Sequence, residues 1–220
     1  MLTLHYLVDS RAQRILWMLE EMGTPYDLKV YPRHPSTNLA PRELRDVHPL
    51  GHSPVITDGD RTIAESGAIV EHLARTYGPN LLPDDLDDLT DCQYWTHFAE
   101  GSLAPLLVTT YVFTVARSKI PFFLRPILMM VPNLIGKNYL NPNLSRHLHY
   151  ANDHLKDREF FVGDALSVAD IMMSFPLEAS ASRTDIKLPH VTAWVDRMQA
   201  RPAYQRALDA AGVPYAYGPR

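Results

Sequence analysis

Two serines occupy positions where a strand is expected to end and a helix to begin. Ser10 follows the strand-like segment 2–6, and Ser66 follows the strand-like segment 61–64; a helical run comes after each serine. The first turn of a helix has backbone N–H groups without intrahelical partners, and the helix dipole adds positive potential there. A serine hydroxyl at this place can donate to an anion, and Glu65 beside Ser66 can bind an ammonium group.

Each serine can instead be only a helix cap, because serine is among the preferred N-cap residues. Ser10 and Gln13 have the spacing of a capping box, in which the serine satisfies only the helix start. Tyr6 is a second hydroxyl at the end of the same strand, and its alternative is an aromatic residue that faces the core. The residues alone leave open whether Ser10 or Tyr6 has the chemical role.

The single cysteine, Cys92, lies far from both strand–helix junctions, on a predicted helix. A thioredoxin-type disulfide exchanger needs a nucleophilic thiol at the junction, so the sequence disfavours a glutaredoxin-like oxidoreductase. One cysteine also excludes an intrachain disulfide, which fits a reducing compartment such as the cytoplasm.

The elements that must position the two serines lie in the first third of the chain. They follow the order β-α-β, a long connection, then β-β-α, with strands expected at residues 2–6, 26–30, 54–57 and 61–64. This order predicts a small mixed sheet with a parallel pair and an antiparallel edge. The fold class is therefore α/β in a domain of residues 1–79.

An acidic, polar linker is predicted at 80–88, followed by an all-α domain at 89–220. Its helices are expected at 89–117, 120–138, 142–157, 167–182, 190–200 and 202–211. Three prolines and Arg125 interrupt the apolar stretch 120–135, which we interpret as a buried or pocket-lining helix and not as a membrane span.

The composition argues against several other classes of protein. Twenty-one basic and 25 acidic residues are mixed along the chain without a basic tract, which disfavours nucleic acid as a partner. The N-terminus lacks the pattern of a signal peptide. No metal is expected, because His147, His149 and His154 on one helix form no coherent set of ligands.

Four segments, in matching order and spacing, resemble the cytosolic glutathione transferase family: residues 48–56, 65–69, 167–171 and 189–202. Together they cover nearly the whole chain. Residues 10–17 and 100–105 are most similar to the fungal and bacterial group typified by a yeast membrane-associated glutathione transferase. The resemblance implies a thioredoxin-like first domain that binds glutathione and a helical second domain that binds an electrophile.

The resemblance also implies which residues hold glutathione. It implies a cis bond between Ser53 and Pro54, with the main chain of Val55 pairing with the cysteinyl unit like an added strand. The γ-glutamyl carboxylate and ammonium are assigned to Ser66 and Glu65. The glycyl carboxylate is assigned to His52, for which an exposed loop histidine without a role is the alternative.

The implied activity is attack by the glutathione thiolate on a small hydrophobic electrophile, as in detoxification, with hydroperoxide reduction as a possible second activity. Ser10 is the leading residue to hold the thiolate and Tyr6 the rival. The electrophile pocket is assigned to Leu106, Tyr111 and Phe113. The alternative is a non-catalytic ligand-binding or regulatory module of the same fold, and the presence of both hydroxyls favours the enzyme.

The resemblance further implies a homodimer. His97 or Glu100 of one subunit is a candidate to approach the γ-glutamyl group of the neighbour, with a solvated helix face as the alternative.

Overall fold

The N-terminal third folds into the predicted mixed sheet. The computed structural model describes residues 1–219, without the side chains of Ser182 and Arg183. The sheet has the order β2-β1-β3-β4, formed by β1 (Leu2–Leu7), β2 (Asp27–Tyr31), β3 (Val55–Asp58) and β4 (Arg61–Ala64). β1 and β2 are parallel, whereas β3 is antiparallel to both β1 and β4. β1 and β3 are therefore the central strands.

Two helices of this domain follow the strands whose ends carry the serines. The apolar faces of α1 (Ala12–Met22) and α3 (Ser66–Tyr77) are fully buried, among them Ile15 and Leu16 on α1 and Ile69 on α3. The long connection before β3 also contains one unpredicted helical turn, α2 (Leu44–Val47), of which only Leu44 is buried. One buried side chain in four residues gives no periodic signal in the sequence.

The helical domain begins with a long, nearly continuous helix. Asp85 caps α4 (Leu86–His97) by accepting hydrogen bonds from Asp87 N at 2.9 Å and Asp88 N at 3.1 Å, so the helix starts before the predicted residue 89. A π-helical segment (Phe98–Leu103) joins α4 to α5 (Ala104–Lys119).

The stretch Leu86–Lys119 is long and apolar enough to cross a membrane by length and composition. Core helices of soluble proteins pass the same test, and Trp95, Phe98 and Leu103 of this stretch lie in the hydrophobic core. The finding is therefore weak evidence for a span, and the expectation of none stays a prediction.

The prediction of one continuous helix over 120–138 is wrong. The stretch 120–135, interpreted as buried or pocket-lining, is mostly exposed, although Met129, Pro132 and Asn133 line a small hollow. The segment divides into a 3₁₀ turn (Phe122–Leu124), α6 (Arg125–Leu128), α7 (Met130–Ile135) and a π-helical segment (Gly136–Leu140). Phe122 is 79% exposed and Met130 67%, and of the residues 120–138 only Met129 is buried. The prolines break the helix into short pieces that cannot share one apolar face.

The remaining helices match the prediction closely, and two of them attach the two domains to each other. They are α8 (Asn141–His154), α9 (Val168–Arg183), α10 (Pro189–Gln199) and α11 (Pro202–Ala211). α1 packs against both α9 and α11, where Trp17 meets Tyr204 edge-on at 5.4 Å between ring centroids. Arg201 also binds Glu21 at 2.6 Å, so α1 and the strand end before it are fixed against the helical domain.

The start of α9 contains the predicted capping box between Ser167 and Asp170. The Asp170 carboxylate accepts from Ser167 N at 3.0 Å, Ser167 Oγ at 2.9 Å and Phe161 N at 2.9 Å. Burial raises the pKa of Asp170 to about 6.

Candidate functional site

A cleft of about 400 Å³ lies where the sheet domain meets α5 and α9. It brings together most of the residues that the sequence assigned to ligand binding, namely Ser10, His52, Ser53, Pro54, Glu65, Ser66 and Tyr111. The two serines of the strand–helix junctions therefore open into one space, although they are far apart in the sequence.

Ser10 is buried at the start of α1, and its Oγ accepts a hydrogen bond from Ala12 N at 3.1 Å. The reciprocal arm of the capping box is replaced, because the Gln13 carboxamide oxygen accepts from the Tyr6 hydroxyl at 2.9 Å. A serine hydroxyl has one hydrogen to donate, and accepting from Ala12 N does not use it. Within the cleft, this O–H can donate to a bound anion.

Tyr6 faces the core rather than the cleft. Its side chain is fully buried, it does not line the cleft, and its hydroxyl hydrogen is donated to Gln13. Burial, with a smaller contribution from the charge of Asp9, raises the pKa of Tyr6 well above its usual value near 10. The structure therefore distinguishes the two candidate hydroxyls, because Ser10 lines the cleft and Tyr6 does not.

The peptide bond between Ser53 and Pro54 is cis, as the resemblance implied. The Ser53 hydroxyl donates to His5 O at 2.9 Å and accepts from Leu7 N at 3.1 Å, which ties this turn to the end of β1. Ser53 itself precedes β3, and in the described registers its main chain pairs with neither β1 nor β4.

The predicted added-strand pairing at Val55 is wrong. Val55 is the first residue of β3, is paired with His5 of β1 and with Ala64 of β4, and has a fully buried side chain. A residue with a strand on each side has no free edge to offer. Ser53, two residues earlier, lies outside the described strand pairing, so an extended peptide can pair with its main chain.

The junction at Glu65 and Ser66 carries backbone strain. Glu65 has φ 71° and ψ 122°, in the left-handed range that residues with a side chain seldom adopt, at a typical cost of about 1–3 kcal/mol. Ser66 is buried at the first position of α3, and among the described residues no side chain caps this helix. The first-turn N–H groups therefore face a cleft that can hold a carboxylate, with the exposed Glu65 side chain beside them.

Arg33 shapes the wall next to Ser10, a role that no sequence signal indicated. Its guanidinium donates to Val8 O at 2.8 Å, Asp9 O at 2.9 Å and Asn38 O at 3.0 Å. It therefore fastens the turn after β1 to the loop after β2. His52 also lines the cleft and is exposed.

The apolar wall of the cleft differs in part from the predicted one. Of the three predicted residues Tyr111 lines the cleft, whereas Leu106 packs against the hydrophobic core and Phe113 lines a separate hollow with Met129. Val108 of α5, on the apolar helix stretch that the sequence offered for the pocket, also lines the cleft. Two further side chains, Phe175 and Tyr217, complete the cleft and had no sequence signal. Phe175 and Tyr217 come from α9 and the C-terminus, and their approach depends on the packing of the domains.

Glu100 is engaged within its own chain. It binds Arg11 at 3.1 Å and also accepts from the buried guanidinium of Arg14, which donates to Met172 O at 2.8 Å. Glu100 and His97 line a second cavity of about 490 Å³ that reaches Glu65 and Ser66 of the same chain. Their contact with a neighbouring subunit stays a prediction.

No described group of three or more His, Cys, Asp or Glu residues has the arrangement of a metal site. Cys92 is buried away from the cleft, and burial raises the pKa of its thiol. The described cleft thus offers hydroxyl, amide and carboxylate groups but no thiol.

Comparison with known proteins shows which family this chain resembles. The family described as "Glutathione S-transferase, N-terminal domain" matches residues 10–76, and "Glutathione S-transferase, C-terminal domain" matches residues 128–202. Glutathione S-transferase 3 of Schizosaccharomyces pombe is 36% identical over 95% of this chain and 87% of its own length.

Two solved structures have the same fold. A glutathione S-transferase from Actinobacillus pleuropneumoniae superposes with a TM-score of 0.81 at 29% identity, covering 99% of this chain and 95% of that one. A glutathione transferase from Phanerochaete chrysosporium, solved with oxidised glutathione, has a TM-score of 0.77 at 20% identity, covering 96% and 95%. The chain belongs to the glutathione S-transferase family and is of the fungal type.

Proposed function

We propose that this transferase ionises the thiol of glutathione at Ser10 and directs the thiolate onto a small hydrophobic electrophile. The observation that carries the proposal is the hydrogen-bonding state of Ser10: its oxygen accepts from Ala12 N, and its O–H can still donate into the cleft. A hydrogen bond from a fixed donor favours the charged form of an acid, and the N-terminus of α1 adds positive potential.

The rest of the tripeptide has complementary partners in the same cleft. The γ-glutamyl carboxylate fits the uncapped start of α3 at Ser66, and its ammonium fits the carboxylate of Glu65. The cysteinyl main chain fits the unpaired edge at Ser53, before cis-Pro54. The glycyl carboxylate fits the rim at His52. With these contacts, the sulfur would lie between Ser10 and the apolar wall.

The reaction needs few further groups from the protein. A free cysteine thiol has a pKa of about 8.5, so only a few per cent is ionised near neutral pH. Once the proton has left for solvent, the sulfur forms a bond to an electrophilic carbon. In a substitution the leaving group departs with its electron pair, and in an addition the substrate takes a proton from water.

Hydroperoxides are a second substrate class for the same thiolate. Attack on the peroxide oxygen would give an alcohol and the sulfenic acid of glutathione, and a second glutathione would convert this acid to the disulfide and water. The step uses only two glutathione molecules and the peroxide.

The apolar wall supports a hydrophobic electrophile as the second substrate. Val108, Tyr111, Phe175 and Tyr217 offer aromatic and aliphatic surface next to Ser10. Most binding sites for small organic molecules combine such surface with a few polar groups.

Calorimetry in buffers of different ionisation enthalpy tests this proposal by counting the protons released on binding. We expect glutathione to release protons from the wild type at pH 7, at least about 0.2 per site if binding lowers the pKa of the thiol by 1 unit from about 8.5, and more for a larger shift. S-methylglutathione has no thiol and serves as the matched control that should release none. Failure of the wild type to bind either ligand would contradict the proposed function, and equal release from both ligands would contradict the ionised thiol.

A further inference from the structure

The last described residues of the chain reach the cleft. α11 ends at Ala211 and is followed by the C-terminal tail (residues 213–219), of which Tyr217 lines the cleft. Gln199 Nε2 of α10 donates to Tyr217 O at 2.8 Å. The tail is therefore fixed on the helical domain while one of its side chains faces the substrate space.

A second contact of the tail reaches the turn that carries Ser10. Ala216 N donates to Asp9 Oδ1 at 2.9 Å, a contact between residues at opposite ends of the chain. Asp9 directly precedes Ser10, lines the cleft and has φ 52°. Arg33 holds the main-chain oxygen of Asp9, so the described bond that fixes its carboxylate is the one from Ala216.

The tail has an anchor in the protein interior. The Tyr215 hydroxyl donates to Glu178 Oε2 at 3.1 Å, and the Tyr204 hydroxyl donates to Glu178 Oε1 at 2.8 Å. Glu178 is buried, and burial raises its pKa to about 7. Among the described residues, Gln199, Arg14 and Tyr6 also interact with this carboxyl group.

The position of Asp9 matters because the reaction creates a negative charge next to it. A carboxylate near a thiol favours the protonated thiol, and the effect weakens when the carboxylate is held and hydrogen-bonded elsewhere. The other charged or titratable groups along the described cleft wall are Arg11, Arg33, His48, His52, Glu65, Tyr111 and Tyr217. Asp9 is the acid adjacent in sequence to the serine that holds the sulfur.

We propose that the C-terminal tail, anchored by Tyr215 on Glu178, holds the Asp9 carboxylate at the Ala216 N–H and so keeps its negative charge from the glutathione sulfur. The inference rests on the proposed function. Asp9 and Tyr215 act as positioning residues, since they act through the tail and not on the electrophile. Ala216 and Tyr217 are neighbours, so the segment that holds Asp9 also lines the electrophile side of the cleft.

The test is a double-mutant cycle read by the pKa of bound glutathione, followed through thiolate absorbance. Tyr215→Phe removes the anchor and should raise the pKa of the bound thiol by about 0.5–1 unit, the size expected for a nearby, partly screened charge. The same substitution combined with Asp9→Asn should leave this pKa within about 0.2 unit of Asp9→Asn alone, because the charge is gone.

Tyr26→Phe is the matched control for the loss of a tyrosine–glutamate hydrogen bond. The Tyr26 hydroxyl donates to Glu20 Oε1 at 2.6 Å, and neither residue lines the cleft. This variant should lose some stability without moving the pKa of the bound thiol. A purely structural role of Tyr215 would make it behave like Tyr26, with an effect on stability and none on the thiol.

Amide hydrogen exchange at Ala216, measured without glutathione, tests the tail contact by itself. Exchange should be several-fold faster in Tyr215→Phe and in Asp9→Ala than in the wild type. Equal exchange in all three proteins would overturn the proposal. A shift of the thiol pKa that persists in the Asp9→Asn background would overturn it too. A wild type that binds no glutathione would end the proposed function and with it the role of the tail in thiol ionisation.

Discussion

The helix starts at Ser10 and Ser167 have closely related sequence patterns, with a serine followed three residues later by a side chain that can complete a capping box. At Ser167 the box is closed: Asp170 accepts from Ser167 N and Oγ and from Phe161 N, all within 3.0 Å. At Ser10 it is open, because the partner side chain, Gln13, is bound to Tyr6.

The difference shows that the hydrogen-bond partner of the side chain three positions after the serine decides whether the serine hydroxyl is available to a ligand. In the closed box at Ser167 the serine hydroxyl donates to Asp170, and this bond stabilises the start of the helix. An open box leaves the hydroxyl hydrogen for a ligand, provided that the helix start borders a cleft. Tyr6 is the hydrogen-bond partner of Gln13 in the open box.

The largest effect is expected from breaking the closed box. Asp170→Ala would leave Phe161 N and Ser167 N buried without their acceptor, and we expect the free energy of unfolding to fall by about 3 kcal/mol or more. Urea denaturation measures this loss. A change of less than about 1 kcal/mol would mean that the box contributes little to the fold.

The matched pair Ser10→Ala and Ser167→Ala tests the comparison itself. Ser10→Ala should lower kcat/KM at neutral pH by about tenfold or more, because the ionised fraction of the thiol falls about tenfold for each unit by which its pKa rises, and lower stability by about 1 kcal/mol. Ser167→Ala should lower stability by at least as much and leave the pKa of the bound thiol unchanged. Ser10→Thr, which keeps a hydroxyl, should retain most of the activity. The comparison fails if both alanine variants affect kcat/KM equally at a temperature where both are folded.

Glu178, a buried carboxyl group in the same structure as the open box, predicts that the free energy of unfolding depends on pH. Burial raises the pKa of Glu178 to about 7 from an ordinary value of 4.5. The folded state therefore keeps a proton that the unfolded state loses, so this contribution to stability is present below about pH 4.5 and is lost as pH rises to about 7. Its full size is about 3 kcal/mol.

Glu178→Gln measures this contribution, because the amide does not titrate. The free energy of unfolding of the wild type minus that of the variant should fall between pH 4.5 and pH 7. A difference that stays constant with pH, or that rises, would contradict the assigned direction of the pKa shift.

The smallest effect is expected from Tyr6→Phe. The variant loses one buried hydrogen bond and should cost about 1 kcal/mol of stability, with less than about a twofold change in kcat/KM. A much larger loss of kcat/KM would mean that Tyr6, or the orientation of Gln13 that it fixes, is more directly involved in holding the thiolate.

The sequence predicted the elements of the sheet domain because their signals are local. Alternating apolar residues indicated β1. α1 ends in the structure at Gly23, whose φ of 63° is a conformation that glycine adopts readily. The resemblance supplied the cis bond at Pro54, which no local pattern distinguishes from a proline at the start of an edge strand.

The errors arose where the outcome depends on distant parts of the chain. Val55 was predicted to pair with the ligand because the sequence does not show that β1 and β4 would flank it on both sides. Phe113 and Tyr111 are two residues apart on α5, and the direction in which each faces follows from how the helix packs. Tyr217 entered the cleft through the contacts of the tail with Asp9 and Glu178, which join opposite ends of the chain.

The most direct test of the open box at Ser10 is the pKa of enzyme-bound glutathione in the wild type, Ser10→Ala and Ser10→Thr. Hydrogen bonding by Ser10 and the start of α1 should place the wild-type value at least about 1 unit below the free thiol value near 8.5. It should rise towards the free value in Ser10→Ala and return in Ser10→Thr. An unchanged pKa in Ser10→Ala, with glutathione still bound, would contradict the account.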